Sequence, residues 1–261
     1  FNVLGVSFSL GILKAPIAPL LESIEEIFST KPAIVDLNKK AANFAYNYAS
    51  AKFSDFNASL NETDKEPNTM LVQGHQGSAL GKIVCGCRFQ SYYPITPATD
   101  ECEYLEQINF NYYQNSIMII QSEDELSAIC MIIGSALTGT RSSTSTSGPG
   151  FSLMVESLGW AGINEVPIVI TLYQRSGPST GLPTRTGQED LLFAINAGHG
   201  EFPKIVYSSG DIEECFYDSI QVFNYADKFQ LPVIHIVDKA LASTTSVSYT
   251  HLRAHETSLH L

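Results

Sequence analysis

From about residue 70 onward, short apolar runs alternate with stretches in which apolar residues recur every three or four positions. Residues 117–120, Ile-Met-Ile-Ile, form an uninterrupted apolar run of strand length and read as a buried strand. Residues 123–137 read as a helix. Ser122 is its expected cap, Glu125 stands at the third helical position, and Leu126, Ile129 and Ile133 form an apolar stripe. A strand is expected over residues 142–146, followed by a turn at Ser147-Gly148-Pro149-Gly150. Helix 154–164 then leads to strand 168–172, and helix 211–229 to strand 233–237. Strands alternating with helices predict an α/β fold, a doubly wound and mostly parallel sheet with helices on both faces. Ligands on such sheets occupy crevices at the carboxyl ends of the strands, so the loops leaving strands are the places to look for chemistry.

The flanking segments break this rhythm. Residues 1–49 mix apolar runs with one helical stretch at 19–28; Lys14, Pro16 and Pro19 argue against a membrane span near the start. Residues 50–69 are rich in Ser, Asp, Asn, Glu and Lys, close on Glu66-Pro67-Asn68, and read as a linker. The main domain is expected over 70–245. Residues 246–261 hold three of the six His without an amphipathic period, and resemble translated sequencing-adapter read-through. They are expected to be non-native, loosely placed and dispensable. The chain opens on Phe1 rather than Met, which is read as a missing natural start.

Charge and cysteine usage narrow the function classes. A net charge of −12 over 261 residues argues against nucleic acid and against an anionic membrane surface, because both need clustered Lys and Arg. The five Cys contain no C-x-x-C pair and no zinc or ferredoxin spacing. Cys85-Gly86-Cys87 therefore reads as two thiols on a buried element, with no metal site assigned, and the overall usage fits a reducing cytoplasm.

Three loops carry unusual chemistry. In Tyr93-Pro94-Ile95-Thr96-Pro97, two prolines restrict the chain around one hydroxyl; a plain exit from a strand explains the pattern equally well. In residues 144–150, Gly148 and Gly150 around Pro149 let backbone approach a ligand closely, or simply make a turn. Arg175 follows a predicted buried strand and opens a loop through Thr184, where a guanidinium can grip a carboxylate with two parallel bonds. Gly77 to Lys82 imitates a phosphate loop but is one residue short, and Ile83 stands where a Ser or Thr is needed. Glu189 and Asp190 read as charges at a helix N-terminus.

Tyr93-Pro-Ile-Thr-Pro97, Thr146-Ser-Gly-Pro-Gly150 and Gln174-Arg-x-Gly-Pro-Ser-Thr-Gly-x-Pro-Thr184, in this order, resemble the alpha subunits of 2-oxoacid:ferredoxin oxidoreductases. The resemblance covers about residues 70–242, and residues 1–49 look like the end of the gamma domain that some members fuse ahead of alpha. It implies the pyrimidine-binding domain of a thiamine diphosphate enzyme. It implies oxidative decarboxylation of a 2-oxoacid to an acyl-CoA, with electrons passing to ferredoxin and the acyl group to coenzyme A. Glu125 matches the carboxyl group that serves the pyrimidine N1'. Tyr93, Pro94, Ser147, Gly148 and Gly150 would line the cofactor pocket; Thr96 and Arg175 would bind the 2-oxoacid. Apolar Leu126, Ala128 and Ile129 beside Glu125 suggest a dry site in which a proton can be shared with the ring. The competitor is Glu123, two positions away and so about 200° around the helix; eight residues separate Glu125 from Gly134, a spacing the family tends to keep.

The family's Gly-Asp-Gly magnesium and diphosphate motif does not occur in this chain, nor does a set of cluster-binding Cys. The resemblance therefore implies a beta subunit that supplies Mg2+, the diphosphate site and the [4Fe-4S] clusters. Two other readings stay open on the sequence: a catalytically silent assembly subunit, and the pyrimidine domain of another thiamine diphosphate enzyme.

Overall fold

The computed structural model describes residues 2–60, 69–111 and 116–249. The remainder of the tail, with His251, His255 and His260, lies outside the described residues. The chain divides into two compact units, Phe1–Pro67 and Asn68–Leu261.

The first unit holds three helices, α1 (Asn2–Ile12), α2 (Ala18–Ile27) and α3 (Pro32–Lys52). Only α2 is legible from apolar spacing. In α3 the buried positions are Ala42, Ala45 and Ala49, a stripe of small residues that lets a neighbouring helix come close. Gly11 answers it from α1, where a Cβ would stand 2.6 Å from the carbonyl oxygen of Tyr46. The helix continues through residues 50–52, which the composition had assigned to a linker.

The second unit runs β1 (Thr69–Gln73), α4 (Gly74–Val84), β2 (Phe89–Tyr92), α5 (Ala98–Asn111), β3 (Met118–Gln121), α6 (Glu125–Ala136), β4 (Ser142–Ser147), α7 (Gly148–Ile163) and β5 (Val169–Gln174), then α8 (Leu191–Asn196), β6 (Ile205–Ser208), α9 (Ile212–Phe229), β7 (Val233–Asp238), α10 (Lys239–Ser243) and β8 (Thr245–Tyr249). Six strands form one sheet in the order β3-β2-β4-β5-β7-β6, every pair parallel. The expected parallel α/β architecture is present.

The two faces of this sheet differ in chemistry. On one face Ile170, Leu172, Ile234 and Ile236 pack against Ile129, Ile132, Phe151, Met154 and Leu158 of α6 and α7. At about 1.5–3 kcal/mol for each such side chain removed from water, this layer is the main source of stability. Toward α4, α5 and α9 the opposite face presents Gln90, Ser143, Ser145, Tyr173 and His235, all fully buried. The strand period of two sorts residues between the faces, so Thr144 and Thr146 of β4 lie on the α6–α7 side and Ser143 and Ser145 on the other.

Several local expectations are corrected. Helix α6 starts two residues later than its spacing suggests, because Asp124 is the cap; its carboxylate accepts from the Ser127 N–H at 2.6 Å. Ser122 instead bonds Tyr92 and Asp124 carbonyls through its hydroxyl. Leu126 is exposed, and the buried stripe is Ala128, Ile129, Ile132, Ile133 and Ala136. Gly148-Pro149-Gly150 is no free turn but the first turn of α7, where a proline needs no N–H partner. Residues 246–249, expected to be loosely placed, belong to β8, which pairs antiparallel with β1 from Thr69↔Tyr249 to Gln73↔Thr245. A two-stranded ribbon draws its register from backbone pairing, which a search for an apolar period does not detect.

Among the described residues, no helix is long and apolar enough to cross a membrane.

Candidate active site

The three unusual loops and the start of α6 all leave adjacent strands at their carboxyl ends. The loop at residues 93–97 follows β2, Glu125 follows β3, Gly148 follows β4 and Arg175 follows β5. In the sheet these strands stand side by side as β3-β2-β4-β5. The chain leaves β2 toward the polar face through α5 and leaves β4 toward the apolar face through α7. That divergence opens a crevice between the two connections.

Glu125 opens α6 and is only 6% exposed, whereas Glu123 precedes the helix and is exposed. The carboxylate of Glu125 lies against Gly150; a Cβ there would stand 2.6 Å from Oε1 and would also press on the Thr146 hydroxyl. Gly150 is therefore glycine for space, not for backbone angle. Among the described residues, no hydrogen bond reaches the Glu125 carboxylate, so a ligand N–H can take it. The β3–α6 connection is anchored to the neighbouring loop by Ser122, whose N–H donates to the Tyr92 carbonyl at 2.8 Å.

Arg175 and Thr96 meet through the backbone. The guanidinium donates from Nη1 to the Thr96 carbonyl at 2.6 Å and from Nη2 to the Thr180 carbonyl at 2.7 Å. Its Nε is buried without a hydrogen-bond partner among the described residues. Burial lowers the pKa of Arg175, and the charge of Asp190 opposes that shift. Thr96 itself is exposed, Tyr93 is exposed and Pro94 half-buried, so this loop presents side chains at the mouth of the crevice. Ser147 is fully buried, and the strand alternation turns it with Ser143 and Ser145 to the face opposite Glu125. Its backbone, not its hydroxyl, leads to the pocket.

Asp190 is the residue that spacing did not single out. It stands at the start of α8 as expected of a helix-end charge, yet its side chain makes no capping bond. The carboxylate instead covers Gly148, where a Cβ would stand 2.8 Å from Oδ1. Burial raises its pKa, Glu189 raises it further and Arg175 opposes. Arg175, Gly148, Pro149 and Asp190 share the lining of a cavity of about 230 Å³. A larger hollow of about 570 Å³ lies away from all of these residues, beside α10 and β8. It gathers no candidate from the three loops. Forty-one residues separate Gly148 from Asp190, and no local pattern links them.

Cys85, Cys87, Cys102 and Cys215 are buried and free. Burial pushes Cys85 and Cys215 up to about 12, so these thiols stay protonated and inert.

A family model described as "Pyruvate flavodoxin/ferredoxin oxidoreductase, thiamine diP-bdg" matches residues 80–260. The chain is 48% identical over 254 residues to the 2-oxoacid:ferredoxin oxidoreductase 1, subunit alpha, of Sulfurisphaera tokodaii, covering 94% of this chain and 40% of that protein. It is 40% identical over 169 residues to the 2-oxoglutarate synthase subunit KorA of Methanothermobacter thermautotrophicus, covering 65% of this chain and 44% of that one. Among solved structures, the 2-oxoglutarate:ferredoxin oxidoreductase from Magnetococcus marinus, with 2-oxoglutarate, coenzyme A and succinyl-CoA bound, aligns with a TM-score of 0.85. The identity is 32%, over 95% of this chain and 43% of that one. The chain spans about 40% of the length of the first curated relatives it matches.

Proposed function

The chain belongs to the thiamine-diphosphate-binding family of pyruvate flavodoxin/ferredoxin oxidoreductases, and from that premise we propose that it is the pyrimidine-binding part of an alpha-type subunit that oxidatively decarboxylates a 2-oxoacid. The observation that carries this reading is the Glu125 carboxylate, nearly buried against Gly150 and free of hydrogen bonds from the described residues. A shielded carboxylate with no internal donor suits the N1' position of an aminopyrimidine, so the residues fit the cofactor. When bound, thiamine diphosphate would supply a nucleophilic carbon and an electron sink. Glu125 holds and returns the proton at the pyrimidine N1'. Gly150 and Gly148 keep the wall of the pocket thin, and Tyr93 and Pro94 border its mouth. Arg175 and Thr96 receive the carboxylate and keto oxygen of the 2-oxoacid. Mg2+, the diphosphate site and the [4Fe-4S] clusters are assigned to a beta subunit, ferredoxin is the electron acceptor and coenzyme A takes the acyl group. Residues 1–49 are assigned to a gamma-type domain fused ahead of alpha, and the complex to the cytoplasm.

Obligate partnership is the direct test. The alpha-type chain alone is expected to show no 2-oxoacid-dependent reduction of a viologen dye, and the complex reconstituted with its beta subunit to show it. Turnover by the isolated chain would overturn the shared site; a complete complex without turnover would overturn the enzymatic reading.

Arg175→Lys tests the substrate role. Lysine keeps the charge but lacks the planar fork that bonds the Thr96 and Thr180 carbonyls. In the complex, the KM for 2-oxoacid is expected to rise on the order of 10-fold. Thr96→Val, which removes one hydroxyl, should give a smaller rise in the same parameter. Parent KM values in both variants would remove this pair from the pocket.

A further inference from the structure

Lys82 and Glu101 form an ion pair with side chains 1% and 0% exposed, in the middle of the polar face of the sheet. Lys82 comes from α4, where the sequence imitated a phosphate loop, and Glu101 from the first turn of α5. The Ser145 hydroxyl joins them. It accepts from Lys82 Nζ at 2.9 Å and from Gln90 Nε2 at 3.0 Å, and it donates to Glu101 Oε2 at 2.9 Å. Gln90 Oε1 accepts from the Ser143 hydroxyl and, at 3.5 Å, from Lys82. The tie thus spans α4, α5, β2 and β4.

A buried ion pair is a poor stabiliser, because the loss of hydration offsets the attraction and apolar residues of the same size hold a core as well. Its geometric consequence is therefore the more informative feature. Glu101 stands five residues after Thr96, and the substrate loop passes into α5 without a joint: the Thr99 N–H donates to the Ile95 carbonyl at 3.1 Å and the Asp100 N–H to the Pro97 carbonyl at 3.3 Å. Ala98 and Ile95 pack in one cluster with Tyr173, two residues before Arg175 on β5. Arg175 closes the circuit on the Thr96 carbonyl. The loop thus rests on the polar network through α5, and the arginine is held to that loop by apolar packing at Tyr173 and by the Thr96 carbonyl, whereas Glu125 lies across the sheet from the network.

We propose that the buried Lys82–Glu101 pair is the positioning device of the 2-oxoacid site: through α5 it fixes where Thr96 stands, and through the Thr96 carbonyl where Arg175 stands, without touching substrate. The proposal rests on the substrate roles given above to Thr96 and Arg175. Lys82 and Glu101 are positioning residues, and their effect is confined to substrate binding.

The test removes both charges together, since removing one would leave the other buried and unpaired. The reconstituted complex carrying Lys82→Met with Glu101→Leu is expected to melt at or above the parent temperature. Its KM for 2-oxoacid should rise on the order of 10-fold, as a small displacement of binding groups does. Exchange of the thiazolium C2 proton should keep the parent rate, because Glu125 is served by the other face. Lys82→Met with Glu101→Gln, which also removes both charges but keeps an acceptor for the Ser145 hydroxyl, is the milder variant, and the same split at smaller size is expected if the first double variant fails to assemble. A parent KM in a folded variant would overturn the proposal, as would C2 exchange falling by the same factor as kcat/KM. A parent complex that never turns over a 2-oxoacid would instead sink the functional reading on which the proposal stands.

Discussion

Glu125→Gln is expected to slow exchange of the thiazolium C2 proton and decarboxylation by about 10²-fold or more in the reconstituted complex. The amide has the shape of the carboxylate and can still accept a hydrogen bond, but it cannot hold and return a proton at the pyrimidine N1'. The fold should survive. Asp124, not Glu125, caps α6 through the Ser127 N–H, and losing one first-turn charge costs only about 0.3–1 kcal/mol. Glu123→Gln is the internal control: that side chain is exposed and lies ahead of the helix, so its variant should exchange at the parent rate. Measuring C2 exchange separates this step from electron transfer to the clusters. Slow exchange in Glu123→Gln with parent exchange in Glu125→Gln would reverse the assignment.

Gly150→Ala is expected to reduce the same exchange by roughly 10- to 10²-fold and to cost about 1–3 kcal/mol of stability by crowding. The added Cβ would stand 2.2 Å from the Thr146 hydroxyl, 2.6 Å from Glu125 Oε1 and 2.8 Å from its Cγ. Either the carboxylate moves or the first turn of α7 does. Alanine in a helix is favoured over glycine by about 1 kcal/mol, which offsets part of the crowding. Combining Gly150→Ala with Glu125→Gln should cost little more than Glu125→Gln alone, because both act on one carboxylate. Gly134→Ala supplies the contrast: nothing lies within 4 Å of a Cβ there, so activity should hold and the melting temperature should stay level or rise. Parent exchange in Gly150→Ala would show that the Glu125–Gly150 contact has no bearing on the chemistry.

Much of this protein was legible one segment at a time. Alternating apolar runs and helical spacing determined a parallel α/β sheet, because burial on both faces leaves continuous apolar strands and amphipathic helices. The preference for Glu125 over Glu123 came from the resemblance and not from helical register, since Glu123 lies ahead of the helix. Glycine and proline content marked the three loops before their positions were known.

Tertiary structure decided the rest. No periodicity encodes the strand order β3-β2-β4-β5, yet that order is what gathers four loops at one edge. Asp190 reaches Gly148 only because the loop after β5 folds back beside α7. The pairing of residues 245–249 with β1 is a backbone match between segments 172 residues apart, blind to side-chain pattern. Most of all, Ser-Ser-Thr-Ser-Thr-Ser at 142–147 is polar by composition and wholly buried in fact. Hydroxyls accept such burial when partners meet them, and for Ser145 those partners, Lys82, Gln90 and Glu101, arrive from two helices and a neighbouring strand. A sequence displays the donors and acceptors, but only the packed fold determines which of them meet.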